Sequence, residues 1–371
     1  MSAVVVFIIF AICLVIAIPI SISLGIVAVL PGAFDASFTA SAGYVIRSMV
    51  GGIDSFPLLA VPMFVLAGIL MAHGKISEKL FDVFVYFLGN KRAGIPCAVI
   101  ITCLFYGAIS GSAPATVAAV GSMTIPLLIE LGYEKDFSTA IVAVAGGLGV
   151  IIPPSIPFIM YAMATGESVS DLFLAGIVPG MMISALLIFY AYYYCRRHGE
   201  DREKIQAKMD QLKTKGFVNI LKESIWALLS PVIVLGCIYS GVASPTEAAV
   251  ISVFYSLFVS LFIYKSIKVK QIWGIMVEAM KTYAPILFIL ATSTAFSRVL
   301  TLMQVPQDVS AWIMTHFSNE IVLLLVINVV LLIVGMVMDT TPAILILSPI
   351  LLPIVEHVGI CLLYTSDAAD D

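Results

Sequence analysis

Residues 93–129 read AGIPCAVIITCLFYGAISGSAPATVAAVGSMTIPLLI, which is 37 positions without a charged side chain. A helix that crosses a bilayer needs about 20 apolar residues, so this stretch is long enough for two helices. Proline is unfavourable inside a helix but suits its first turn, and Pro114 therefore marks the start of the second helix. The sequence predicts a re-entrant helical hairpin over residues 93–131, with a small polar tip at Ser110–Thr116.

A second stretch has the same design. Residues 321–355 contain a single charge, Asp339, placed beside Thr340, Thr341 and Pro342 at the middle of the run. We expect a second re-entrant hairpin over residues 320–357.

The likeness continues downstream, because Pro126 precedes Gly132 by six residues just as Pro353 precedes Gly359. Two matches in register indicate an internal repeat. Repeated halves with interrupted helices are typical of secondary transporters.

A third irregular element follows the first hairpin. The run 137–166 is uncharged and long enough to span a membrane, but its middle reads GGLGVIIPPSIP. Irregular backbone at membrane depth is tolerated only where it is buried in protein or lines a cavity. We predict a broken helix over residues 136–166; the alternative is a simple kink.

Composition sets the class of protein. The chain has 371 residues, 61% hydrophobic and 11% charged, with a net charge of −4. Soluble domains carry about 25% charged residues, so the sequence predicts an all-α polytopic membrane protein. Because the net charge is −4, nucleic acid is not an expected partner. Eight of the 19 Lys and Arg residues lie between Arg196 and Lys222. Because such a bias marks the cytoplasmic side, residues 196–222 are predicted to be a cytoplasmic linker between a first half, 1–195, and a second half, 223–360.

The last residues, 361–371, read CLLYTSDAADD. This run resembles the in-frame translation of a transposon adapter used in sequencing libraries. We expect it to be an assembly artefact, with an incomplete second half and a native chain that continues past Ile360.

The sequence gives little support to the hypothesis that this protein is an enzyme. The sequence has no H-E-x-x-H zinc helix and no Walker A motif, and the tip serines have no intramembrane base in view to activate them. The interrupted helices instead offer oxygen ligands, namely hydroxyls, one carboxylate and free carbonyls, and these suit an alkali cation such as Na⁺. No other metal and no organic cofactor is expected. The predicted ion ligands are Ser110, Gly111, Ser112, Thr116, Gly149, Pro153, Ser155, Asp339, Thr340 and Thr341.

The helix starts after the breaks, at Ala113 and Pro154, expose N–H groups that suit a substrate carboxylate. Arg298 could bind the same carboxylate in a bidentate manner, or it could be an arginine whose charged head reaches for water at a helix end. Asp339 has a structural alternative as the cap of the helix that Pro342 begins. Glu247 is interpreted as part of an S-x-x-E capping box with Ser244.

Taken together, these motifs resemble the large membrane subunit of TRAP transporters, the tripartite ATP-independent periplasmic uptake systems. The resemblance covers Val4–Ile360. The matching stretches are Phe56–Gly68 (FPLLAVPMFVLAG), Ser110–Thr116 (SGSAPAT), Gly132-Tyr133, Leu148–Ser155 (LGVIIPPS), Ala175–Gly180 (AGIVPG) and Ser244–Ala249 (SPTEAA).

The resemblance implies a Na⁺-driven secondary importer of organic acids, such as C4-dicarboxylates or sialic acid, in the bacterial inner membrane. It also implies two partners, a periplasmic binding protein and a small membrane subunit, and an elevator-type fold built from inverted repeats. One ion site would lie at the first hairpin tip and the Pro153–Ser155 break, and half of a second at the Asp339–Pro342 tip. The alternative function is a membrane scaffold or ion channel, which a Na⁺ requirement for uptake would distinguish.

Overall fold

The computed structural model describes residues 3–34, 38–214, 216–316, 320–338 and 340–357, and these ranges form helices and connections without a strand. Asp339 and the tail from residue 358 onward lie outside the described residues. The helices are α1 Ala3–Val15, α2 Ile20–Phe34, α3 Ala42–Ile53, α4 Ala60–His73, α5 Ile76–Leu88, α6 Gly94–Ser110, α7 Ala113–Glu130, α8 Lys135–Gly146, α9 Ile156–Thr165, α10 Val169–His198, α11 Arg202–Thr214, α12 Phe217–Tyr239, α13 Pro245–Phe258, α14 Val269–Leu302, α15 Val305–His316, α16 Glu320–Val337 and α17 Thr340–His357.

Within the described ranges, six helical segments are long and apolar enough to cross a membrane. They are Phe56–His73, Ala113–Glu130, Val169–His198, Asn219–Tyr239, Pro245–Ile263 and Val269–Leu302. Several shorter apolar helices, among them α6, accompany them. The prediction of an all-α polytopic membrane protein is confirmed.

The chain divides into two compact units that each combine distant parts of the sequence. The first unit draws its described residues from Met1–Leu58, Ile159–Ser168 and Lys281–Asp371, and the second consists of Leu59–Phe158 and Val169–Met280. The division into sequence halves around residues 196–222, and the inverted repeat, stay predictions. The linker itself is not a plain connection, because α11 lies within it.

The second unit has the larger apolar core. α4 packs along α13, and α5, α6, α7 and α8 surround a cluster that includes Leu80, Ile100, Tyr106, Leu128 and Leu148, each less than 2% exposed. The first unit has its own core, where Phe296 of α14 packs against Phe7 and Phe10 of α1.

Two local sequence signals, the Ser244 capping box and Pro114, lie at helix starts in the structure, as predicted. Ser244 Oγ accepts the Glu247 N–H, and the Glu247 carboxylate accepts the Ser244 N–H at 2.8 Å, so the predicted capping box is confirmed. Pro114 lies in the first turn of α7. Between α6 and α7, Gly111 has a φ of +61°, a conformation that side chains other than glycine rarely adopt. The chain therefore reverses at Gly111–Ser112, as predicted.

Candidate functional site

Three hydroxyl and carbonyl oxygens meet at the tip of the first hairpin, in the second unit. Ser110, at the end of α6, lies 2.9 Å from the Thr116 hydroxyl on α7, measured between Oγ and Oγ1. Thr116 Oγ1 is also 2.8 Å from the Ser112 carbonyl oxygen. The Ser110 and Thr116 side chains are 2% and 0% exposed. The tip therefore holds a buried cluster of oxygens contributed by both of its helices.

The break after α8 packs directly onto this cluster. Gly149 lies in a 3-10 turn, Gly147–Val150, and a Cβ there would come within 2.5 Å of Thr116 Oγ1 and 3.0 Å of the Ser112 oxygen. Gly107 of α6 is equally close, since its Cβ would lie 2.5 Å from the Gly149 Cα. Beyond the break, the Ile156 N–H donates to the Gly111 carbonyl at 3.2 Å. Glycine at 107 and 149 is what lets backbone meet backbone here.

Ser155 holds the two sides of the break together. Its hydroxyl donates to the Val150 carbonyl at 2.6 Å and accepts the Phe158 N–H at 3.4 Å, so it bonds the end of the 3-10 turn to the first turn of α9. Pro153 and Pro154 lie between these points and are buried. The predicted broken helix is thus present, with irregular backbone over residues 151–155.

The structure brings together most of the ion ligands predicted in the first half of the chain. Ser110, Gly111, Ser112, Thr116 and Gly149 contact one another, and Ser155 lies at the adjoining break. Ala113 begins α7 beside them, with its helix N-terminus directed at the tip. Buried oxygens of this kind suit a dehydrated cation, because they replace the water that the ion loses. Their assignment as ligands stays a prediction.

The predicted ligands of the second hairpin lie in the first unit. Thr341 is buried and Thr340 exposed, both in the first turn of α17, while Asp339 falls outside the described residues. Thr340 lines a cavity of about 570 Å³ between α16 and α17, whose other lining residues are mainly apolar, such as Leu331 and Leu347. The structure therefore neither assembles nor excludes an ion site at this tip.

Arg298 lines a separate cavity within the first unit, of about 370 Å³. Ser55, Thr294 and Ser297 line the same cavity, and the Thr294 hydroxyl donates to the Leu290 carbonyl at 2.9 Å. A Cβ on Gly51 would lie at ordinary contact distance, 3.9 Å, from an Arg298 Nη. Arg298 forms no ion pair with any carboxylate in the described ranges. A cation beside hydroxyl donors is an arrangement that can hold an organic anion.

Several residues of both regions were missed by sequence reasoning. Gly68 of α4 packs on the hairpin tip, because its Cβ would lie 3.1 Å from the Ser110 Cα, and Tyr106 donates its hydroxyl to the Gly68 carbonyl at 3.0 Å. In the other unit, Thr294 and Ser297 line the Arg298 cavity. They belong to a cluster of hydroxyl residues at 292–297 of α14, which was a usable signal in the sequence.

Comparison with known proteins gives a family match over nearly the whole chain. Residues 7–365 match the model of a family described as the DctM component of tripartite ATP-independent periplasmic transporters.

Relatives of this chain carry several substrate names. It is 42% identical, over 95% of its length, to the isethionate TRAP transporter permease protein DctMQ of Oleidesulfovibrio alaskensis, and spans about half (54%) of that protein. It is 39% identical to the C4-dicarboxylate TRAP transporter large permease protein DctM of Pseudomonas aeruginosa, over 83% of this chain and 70% of the relative. It is also 37% identical to the 2,3-diketo-L-gulonate TRAP transporter large permease protein YiaN of Escherichia coli, over 86% of this chain and 73% of the relative.

Proposed function

Since this chain belongs to the family of DctM components of tripartite ATP-independent periplasmic transporters, we propose that it is the membrane subunit through which an organic acid enters the cell, driven by Na⁺. Its partners would be a small membrane subunit and a periplasmic binding protein that delivers the acid. Its place would be the bacterial inner membrane, which the six apolar spans found among the described residues suit.

The observation that carries Na⁺ coupling is the contact between the hairpin tip and the broken helix. Two hydroxyls and a carbonyl converge there in a buried position, and the backbone of the break approaches them at Gly149. Interrupted helices of secondary transporters coordinate Na⁺ with such unwound carbonyls and neighbouring side chains. Ser110, Ser112 and Thr116 would be ligands of this ion, together with carbonyls on either side of Pro153.

The substrate class rests on charge. Isethionate, C4-dicarboxylates and 2,3-diketo-L-gulonate, which the relatives are named for, are all anions at neutral pH. Arg298 offers a guanidinium to a cavity with hydroxyl donors, and planar guanidinium groups bind carboxylates with two parallel hydrogen bonds. We therefore propose Arg298 as the anion-binding residue, with a C4-dicarboxylate or a sialic-acid-like sugar acid as cargo. Ala113 and Pro154 lie in the other unit, where α9 begins at Ile156 rather than at Pro154, and their binding of the acid stays a prediction.

Reconstitution with both partners tests the proposal. Vesicles containing the two membrane subunits receive the binding protein outside, with radiolabelled succinate, isethionate or sialic acid as probes. We expect uptake of one of these acids under an inward Na⁺ gradient, and none when K⁺ replaces Na⁺ or when ATP is supplied without a gradient. Equal uptake with and without Na⁺ would refute the coupling, and downhill leakage independent of the binding protein would indicate a channel.

A further inference from the structure

One carboxylate joins both ends of the first hairpin to the segment that follows α10. Glu200, between α10 and α11, accepts the Ala93 N–H at 3.0 Å and the Tyr133 hydroxyl at 2.7 Å, both on Oε1. Ala93 directly precedes α6, and Tyr133 follows α7 by three residues. Since α6 and α7 are the two arms of the hairpin, Glu200 closes its base at the end opposite the tip. We call Glu200, Ala93, Tyr133 and Arg202 the Glu200 clasp.

Burial makes this carboxylate unusual. The Glu200 side chain is 2% exposed, and the described residues offer its Oε2 no hydrogen bond but place the Arg202 guanidinium 3.5 Å away. A buried charge is costly unless it is paired. The Ala93 N–H stands at the N-terminal end of α6, where the helix dipole also favours a negative charge. Losing either hydrogen bond therefore leaves a buried carboxylate with fewer partners.

Tyr133 is held in the donor state. Burial, followed by the hydrogen bond to Glu200 and the negative charge of that carboxylate, raises the pKa of Tyr133 above its usual value. The phenol therefore stays protonated near neutral pH and donates to the carboxylate. The loop around it is closely fitted, because a Cβ on Gly132, which has a φ of +93°, would lie 3.2 Å from the Asp201 Cβ.

The segment after the clasp is also docked. Ile205 and Met209 of α11 are buried, and Met209 Sδ would lie 2.4 Å from a Cβ on Gly89, just after α5. Arg202 donates to the Asn90 carbonyl at 3.4 Å. Residues 199–209 are thus packed against the connection that leads into the hairpin, and the clasp has a fixed support.

We propose that Glu200 is a positioning residue for the first hairpin: by bonding both ends of the hairpin base to the docked α11 segment, it fixes where the tip oxygens meet the broken helix. α6 is a helix of 17 residues, about 25 Å long, and it links Ala93 rigidly to Ser110. At the far end, Gly107 and Gly149 leave no free space between α6 and the break. A small rotation of α6 at its base would therefore either pull Gly107 away from Gly149 or make the two backbones clash. This role rests on the proposed function, in which the tip binds the coupling ion.

Two substitutions open the clasp in different ways. Glu200→Ala removes the acceptor that both ends of the hairpin share, and Tyr133→Phe removes one donor. The matched control is Tyr194→Phe, because the Tyr194 hydroxyl donates to Glu134 at 2.5 Å at the same end of the unit but in an exposed position. Cysteines report the result directly: Cys195 neighbours the Glu200 carboxylate and is 2% exposed, while Cys103 is fully buried midway along α6.

The experiment measures N-ethylmaleimide labelling of Cys195 and Cys103 by peptide mass spectrometry in membranes, and the Na⁺ concentration for half-maximal uptake in the reconstituted complex. For Glu200→Ala and Tyr133→Phe we expect both thiols to react at least about tenfold faster, the factor expected for a lost hydrogen bond to a charged group. We also expect a higher half-saturating Na⁺ concentration with little change in maximal rate. Tyr194→Phe should change none of these.

Unchanged labelling in both variants would overturn the proposal. Faster labelling of Cys195 alone, with Cys103 and the Na⁺ dependence unaltered, would show local fraying and overturn it as well. Should one variant fail to accumulate, the other still decides, since each removes a different partner. If the unmodified protein showed no Na⁺-driven uptake, the proposed function would fail, whereas Cys103 labelling would still decide whether Glu200 positions the hairpin.

Discussion

Replacing Gly149 by alanine tests the contact between the hairpin tip and the broken helix. The new methyl group would lie 2.5 Å from Thr116 Oγ1 and 3.0 Å from the Ser112 carbonyl oxygen, well inside van der Waals contact. Gly149 is not among the residues with a positive φ, so alanine causes no backbone strain of its own there. The effect is therefore purely steric, and it acts on two of the proposed ligand oxygens.

The size of the effect follows from the overlap. Overpacking by one methylene costs about 1–3 kcal/mol, and the free protein can avoid this cost by letting the break move off the tip. Binding the ion requires the break to return to close contact with the tip, so the steric cost lowers the affinity for Na⁺. At about 1.4 kcal/mol per tenfold change, the half-saturating Na⁺ concentration for uptake should rise about 5- to 150-fold.

Gly147→Ala is the matched control for this variant. It makes the same chemical change two residues earlier, at the start of the same 3-10 turn, where a Cβ meets nothing within 4 Å. Its Na⁺ titration in proteoliposomes should match that of the unmodified protein, and thermal unfolding in detergent should show that both variants are folded. If Gly149→Ala retains normal Na⁺ dependence while folded, the tip and the break do not form a common ion site.

Substitutions at three further positions separate function from stability. Ser112→Leu fills the tip, where small residues allow close backbone approach, and should abolish uptake in a protein that remains folded in the membrane; normal uptake would mean that the tip binds nothing. Arg298→Gln should raise the KM for the acid about 10- to 150-fold, as loss of a charged hydrogen bond predicts. Arg298→Lys should give an intermediate KM, because lysine keeps the charge but cannot bind a carboxylate in a bidentate manner. An unchanged KM in transport assays would favour an arginine that only reaches for water. Ser244→Ala removes the helix cap of α13 and should cost about 0.5–2 kcal/mol of stability, seen as a lower melting temperature with the Na⁺ dependence unaltered; a shift in that dependence would contradict a purely structural role for the capping box.

Backbone irregularity was predictable because it has local causes. Pro114 and Gly111 mark the reversal of the first hairpin, and the Pro153–Ser155 run marks the break, since each removes a helical hydrogen bond or requires a special conformation within its own few residues. The capping box at Ser244 and Glu247 is equally local. For such features the sequence states the requirement directly, and the structure places the helix ends where these residues put them.

Contacts between distant segments could not be predicted in the same way. Gly107, Gly147 and Gly149 look alike in the sequence, yet two of them touch each other and the third has open space around it. Which glycine is a close contact depends on how α6 is rotated relative to the break, and that rotation is set by the whole apolar core of the unit. The cavity beside Arg298 is hidden for the same reason, since its lining comes from four separate stretches of the chain.

Buried charge shows most clearly where sequence reasoning stops. Asp339 attracts attention because its neighbours over 35 positions are uncharged. The sequence alone therefore shows that placing this carboxylate in a membrane costs free energy. Glu200 lies among charged residues in a segment typical of a solvated linker, and nothing near it in the chain signals that its side chain is 2% exposed. The groups that hydrogen-bond to it belong to Ala93 and Tyr133, 107 and 67 residues away. A carboxylate that is costly to bury is therefore recognisable from sequence only when its neighbours in the chain, rather than its neighbours in space, are apolar.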